Sequence, residues 1–240
     1  TNGHVRECDN INAYLRDMDN VFFGRRTSPI CDNVLPMRCG YLVADGGTIS
    51  CFDESYRNRL ESEEPQSLPY LRLMVGGDEY VNGRLRLCLW LPDVDLDDVR
   101  RNHPVVWEML EACRDGRSSR PRKNDAYLLR NVPHRMRDVD KLVIDKPYLI
   151  VPNTTSENRL YVPIGLVDPD VIPNHNAQIV VGAGLYEFGI MSSCFYNAFL
   201  HLVGGGLETR YRHNYTYVYN NYVWPNCDAV ARAAIESAAQ

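Results

Sequence analysis

Residues 146–166 read KPYLIVPNTTSENRLYVPIGL. Two apolar, β-branched and Tyr-rich runs, Lys146–Pro152 and Arg159–Leu166, flank the polar stretch Asn153–Asn158. Val, Ile and Tyr suit a buried pleated surface, whereas Asn, Ser and Thr bond their own backbone in turns. The segment therefore reads as two strands joined by a loop. Toward the C-terminus, Ala177–Ala183 is a further short apolar run and reads as a buried strand. Glu187–Val203 changes to helical spacing, with Ile190, Phe195, Phe199 and Leu202 on one face, and Gly204-Gly205-Gly206 ends it. Leu207–Tyr219 returns to a Tyr-rich strand, and Asp228–Ala239 is an Ala-rich helix.

Toward the N-terminus, Pro104 suits the first turn of a helix running to about Arg114, preceded by a short helix over Asp93–Asn102. Asn82-Gly83, inside Glu79–Leu85, accepts the positive φ angles of a hairpin turn, which predicts a hairpin leading into a strand over Arg84–Leu91. Asp53 is placed to cap a helix over 54–64 that stops before Pro65. Residues 1–50 are irregular, with a turn at Asp45-Gly46-Gly47. The sum is an α+β chain: a mixed or antiparallel sheet, a helical middle section and a C-terminal helix. Residues 1–240 read as one domain with a helical, basic subregion at 93–140.

Hydrophobic residues at 45% and charged residues at 24% are ordinary globular values. There is no signal-peptide pattern after Thr1 and no stretch near the roughly 20 apolar residues a membrane helix needs. The chain is expected to be a soluble piece of a longer cytoplasmic protein with no membrane partner. Its eight cysteines form no CxxC pair, which reads as reduced thiols rather than a disulfide framework or a metal site. The net charge of −5 argues against nucleic acid, but its distribution does not. Residues 114–137 hold eight Arg or Lys against two Asp, a local +6, so the remainder carries −11. Arg117, Arg120, Arg122 and Lys123 lie in that segment as candidate phosphate contacts.

Catalytic signatures are missing from the sequence: there is no GxxxxGK[ST] loop, no GxSxG and no HExxH. Cys194 and His201, seven apart, are the nearest approach to a nucleophile and base. The most unusual segment is Gly204–Pro225, GGGLETRYRHNYTYVYNNYVWP. On a strand, Glu208, Arg210 and Arg212 share one face. Arg is suited to O6 and N7 of guanine and Glu to N4 of cytosine, so the set fits a C·G pair. From spacing alone an exposed Glu–Arg ladder is the favoured reading.

Here the chain resembles the target-recognition region of type IIL restriction–modification enzymes and related N6-adenine DNA methyltransferases. The resemblance spans nearly the whole chain. It is carried by Pro36-Met37-Arg38-Cys39-Gly40, Val75–Leu91 (VGGDEYVNGRLRLCLWL), Val151–Gly165 (VPNTTSENRLYVPIG), Phe188–Ser193 and Val218–Pro225 (VYNNYVWP). It implies double-stranded DNA recognition, with Glu208 and Arg210 as a base-reading pair and Arg212 as a further contact. It also implies specificity residues at Asn174, His175 and Asn176, and secondary DNA contacts at Asn153, Ser156, Glu157 and Arg159. The methyltransferase signature is absent, so no cofactor is expected in this chain. S-adenosylmethionine belongs to the methyltransferase domain of the parent, which would be a partner in cis. Three rival readings remain: a protein-interaction or assembly module of a defence system, a hydrolase using Cys194, and single-strand RNA stacking on Tyr211–Tyr222.

Overall fold

The computed structural model describes residues 7–12, 17–207 and 210–240. In chain order the strands are β1 (Met37–Cys39), β2 (Ser50–Cys51), β3 (Leu71–Val75), β4 (Leu87–Leu89), β5 (Tyr148–Pro152), β6 (Thr154–Thr155), β7 (Gly165–Val167), β8 (Ile172–Pro173), β9 (Ala177–Val181), β10 (Gly205–Leu207) and β11 (Arg210–Arg212). The helices are α1 (Ser55–Glu63), α2 (Gly77–Asn82), α3 (Leu96–Asn102), α4 (Pro104–Ser118), α5 (Asp125–Leu128), α6 (Leu185–Met191), α7 (Cys194–Val203) and α8 (Ala229–Ala238).

Every residue of β5 is buried because both faces of its sheet are covered. The sheet runs β1-β9-β5-β7, all antiparallel. Alternation then sends Tyr148, Ile150, Ala177 and Ile179 into one core, with Leu60, Val99, Val106 and Leu110 of α1, α3 and α4. Leu149, Val151, Val180 and Met37 face a second core with Ile190, Tyr196, Leu200, Tyr219 and Trp224. A second sheet, β2-β4-β3-β8, closes the first core, and its β3–β8 pair is parallel. A small antiparallel sheet, β10-β11-β6, stands where β5 leaves the central sheet. The mixed α+β architecture and C-terminal helix match the sequence reading.

Several local expectations are corrected. Asn82-Gly83 does not turn a hairpin; it ends α2. The reason is that a type I′ turn and a helix C-terminus ask for the same left-handed residue, and Gly83 supplies it at φ 62°. Glu79 decides between them by accepting the Gly76 amide at 2.9 Å, the N3 half of a capping box. Glu187–Val203 is two helices, because the Ser193 hydroxyl accepts the Tyr196 amide and starts α7 afresh. That break turns Phe195 out to solvent, 77% exposed, rather than into the core. Arg159–Ile164 is irregular, with strand only at β7, and after Arg212 the expected strand gives way to turns and a short 3-10 helix at Tyr219–Asn221.

The largest correction is Arg117, which is 1% exposed rather than phosphate-facing. Its guanidinium spends all five N–H donors on carbonyls: Ala44, Leu129, Val132, Val43 and Arg135, at 2.9–3.2 Å. It thus ties α4 to the turn before β2 and to the 129–135 loop. Replacing Arg117 by Met would orphan those carbonyls, and should cost about 3–5 kcal/mol in urea unfolding. Arg117→Lys, with three donors on a point charge, should recover less than half of the loss.

Candidate functional site

The chain leaves the central sheet at Pro152 and enters it at Ala177, and these two ends lie side by side in register. The loops at this end therefore converge. Asn174 is 1% exposed and works as scaffold: its amide donates to Val75 O at 2.7 Å, and its Oδ1 accepts the Asn176 amide at 2.9 Å. The His175 amide donates to Tyr41 O at 3.0 Å. Gly40 permits this close approach, since a Cβ there would lie 2.6 Å from the carbonyls of Pro173 and Asn174. Of the expected trio, Asn176 is the exposed one. His175 is half-buried, and burial first, then Arg137 and Arg86, pull its pKa down and keep it neutral.

Between these loops and α2 lies an open groove of about 740 Å³. It is lined by Asn153, Ser156, Arg159, Asn176, Arg210 and Arg212 among the residues expected from sequence, with Asp78 and Asn82 of α2 on the facing wall. Strand pairing sets the last two arginines. Tyr211 pairs with Gly206 and Thr155, and its ring stacks on His201 at 4.0 Å, so Arg210 and Arg212 point the other way and are exposed. Arg159, Arg210 and Arg212 have no ion-pair partner among the described residues. Glu208 lies outside the described residues. Glu157 is exposed on the adjoining loop but is not part of the lining.

The basic subregion behaves differently. Arg114, Arg135 and Arg137 are paired with Glu111, Asp140, and Asp125 with Asp138. Arg130 lies over the Tyr127 ring at 4.0 Å. Arg120, Arg122 and Lys123 are exposed, and none of them lines the groove.

Sequence reasoning missed the polar knot beneath the groove. Gln178 of β9, 3% exposed, donates to Asn153 Oδ1 at 2.9 Å and to His213 O at 2.6 Å. Its Oε1 faces His213 Nδ1 at 3.0 Å, and Tyr196 OH faces His213 Nε2 at 2.7 Å. These partners assign the proton to Nδ1, which donates to Gln178, while Nε2 accepts from Tyr196. The one sequence signal was a lone amide inside the apolar run AQIVV.

The rival sites are not assembled. Cys194 opens α7 and His201 sits near its other end, about 10 Å along the axis at 1.5 Å per residue. Tyr219 is fully buried, Tyr211 is stacked on His201 and Tyr222 packs edge-on to Tyr196, whereas Tyr217 is exposed. Among the described residues no group of three or more His, Cys, Asp or Glu is placed to hold a metal, and no helix is long and apolar enough to cross a membrane.

Loops at one end of the central sheet thus set arginines, without ion-pair partners among the described residues, around an open groove. The family model for the MmeI target recognition domain matches residues 17–226, and the chain belongs to that family. DNA methyltransferase A of Bacillus subtilis (strain 168) is 30% identical over 230 residues, which is 95% of this chain and 25% of that protein. The solved structure of the type IIL restriction-modification enzyme MmeI in complex with DNA is 35% identical, with a TM-score of 0.89 over 97% of this chain and 30% of that one. The type IIG restriction endonuclease BpuSI, at 12% identity and a TM-score of 0.53 over 85% of this chain, shares the fold. This chain thus spans a quarter to a third of the relatives it matches.

Burial pushes the His213 pKa down from 6.5 to about 3. Its folded value lies below its unfolded one, so the stability it contributes is complete above pH 6.5 and is lost as pH falls from there toward 3. This residue alone should steepen the acid limb by up to about 1.4 kcal/mol per pH unit in that window. Urea midpoints measured from pH 7 to 4 should fall more gently for His213→Gln than for wild type. The His213 ring NMR signals should stay fixed between pH 8 and 5.

Proposed function

We propose that this chain reads double-stranded DNA sequence through the groove between α2, the 153–159 loop, Asn176 and β11. The observation that carries the reading is the convergence on one open groove of three guanidinium groups, Arg159, Arg210 and Arg212, that have no ion-pair partner among the described residues, in a member of this family. Arg114, Arg135 and Arg137 are ion-paired and Arg117 is buried, whereas these three have no ion-pair partner among the described residues. Unpaired guanidinium groups favour phosphates and guanine edges, which supply the acceptors that the protein withholds. The complex of MmeI with DNA, at 35% identity, supports the same reading.

Within it, Glu208 and Arg210 act as the base-reading pair, Arg212 as a further contact, Asn176 as the exposed reader of its loop, and Ser156 and Arg159 as rim contacts. Arg120, Arg122 and Lys123 contribute at most to phosphate contact outside the groove. The whole of residues 1–240 serves as one recognition domain of a larger cytoplasmic protein. The methyltransferase portion of that protein supplies S-adenosylmethionine and the transfer to adenine N6, with or without a nuclease. This chain holds the duplex while the base is presented.

The test is selection of bound duplexes from a randomised pool at low salt. Wild type should enrich a short motif. Glu208→Lys with Arg210→Asp should reverse one position from C·G to G·C, a preference worth about 1–3 kcal/mol. Arg159→Ala should instead weaken all sequences alike and lower the slope of log K against log salt by about 1. Failure of the folded intact protein to enrich any sequence would sink the reading in favour of a protein-interaction module.

A further inference from the structure

We infer that Gln178 is a positioning residue for sequence readout, the side chain that sets the register of the recognition segments against one another. The inference rests on the DNA-reading role of the groove. Facing α2, three separate stretches line that groove: the 153–159 loop with β6, Asn176, and β11 with Arg210 and Arg212. A base pair discriminates only if the groups reading it are held to about 0.5 Å, so something must tie the stretches together. The ladder between β6 and β11 has only two residue pairs, Tyr211 with Thr155 and Arg212 with Thr154.

Below that ladder Asn153 bonds to both other stretches. Its amide donates to Asn176 O at 3.2 Å, its carbonyl accepts the His213 amide at 2.9 Å, and its Nδ2 donates to His175 O at 2.9 Å. The remaining side-chain atom, Oδ1, is held by Gln178 Nε2 at 2.9 Å. Asn153 therefore has both ends of its amide occupied within the protein, which makes it a link between segments in place of the DNA contact expected of it.

Gln178 holds the other side as well. The same Nε2 donates to His213 O at 2.6 Å, and Oε1 accepts from His213 Nδ1 at 3.0 Å. It stands on β9, paired with β1 at Cys39 and with β5 at Val151, in the interior of the central sheet. A rigid strand thus carries one planar amide that grips the start of the 153–159 loop and the end of β11 together. Besides satisfying Asn153 Oδ1 and the His213 carbonyl and Nδ1, this buried amide supplies direction, which an apolar side chain cannot. Arg212, next to His213, and Arg210, one pleat further along, inherit that direction through the strand.

The test is a double-mutant comparison in the intact protein, reading the affinity ratio between the selected duplex and one altered at the base pair assigned to Arg210. Gln178→Met should lower that ratio about tenfold, equivalent to about 1.4 kcal/mol, while low-salt affinity for an unrelated duplex stays within about twofold. In an Arg210→Ala background the same change should cost nothing further, because the two act as one unit. Full discrimination in Gln178→Met overturns the inference, as does a loss that adds to that of Arg210→Ala. An equal fall in specific and non-specific affinity also overturns it, since a merely structural role predicts that pattern. If Gln178→Met fails to fold, Tyr196→Phe removes only the hydroxyl that steadies His213 Nε2 and is judged by the same ratios. A wild type with no discrimination at all removes the DNA reading itself, and this inference with it, a result distinct from each of the others.

Discussion

Both faces of the central sheet must be buried at once, and the rest of the chain is arranged to meet that demand. β5 and β9 offer apolar side chains in both directions, so one layer of cover cannot satisfy them. Helices α1, α3 and α4 with the β2-β4-β3-β8 sheet close one side, and α6, α7 and the Tyr219–Trp224 stretch close the other. A five-residue ladder between β5 and β9 follows, anchored from both sides. The loops that leave this ladder at Pro152 and Ala177 are short and fixed at one end to the most rigid part of the molecule. That is where a recognition site gains precision, because the scaffold rather than the loop sets the position.

Charge is organised on the same plan. Under the proposed DNA reading, an acidic protein must present its cations selectively. In the 114–137 segment they largely hold the protein together: Arg117 threads five carbonyls, and Arg114, Arg135 and Arg137 meet carboxylates. At the groove the arginines are left without protein partners among the described residues, and they are exposed. Local density of positive charge along the chain is therefore a poor guide to the binding face. A guanidinium committed to carbonyls has no donors left for a phosphate, whatever the sequence around it. The polar knot of Asn153, Gln178, His213 and Tyr196 shows the complementary economy, with its hydrogen-bonding atoms turned inward to hold the exposed residues in place.

The sequence by itself determined the strong periodic elements and the family. The buried runs at 148–152 and 177–181, the Pro-started helix at 104, the capped helix at 229 and the Gly204 stop all follow from local rules: two-fold or 3.6-fold apolar spacing, a cap, a fixed φ. The words shared with type IIL recognition regions pointed to the Arg210–Arg212 strand and to the 153–159 and 174–176 loops, and six of those residues do line one groove. Only the tertiary structure decided the rest. Asn82-Gly83 suits a hairpin and a helix end equally, and a contact from Glu79 settles it. Arg117 looks like any surface arginine until the carbonyls of residues some 70 positions earlier in the chain surround it. Asn174 reads as a base contact and Asn153 as a secondary DNA contact until their side chains are seen bonded within the protein. Local preference is written along the chain, but which polar atoms remain free for a ligand depends on partners far apart in sequence, and only folding brings those together.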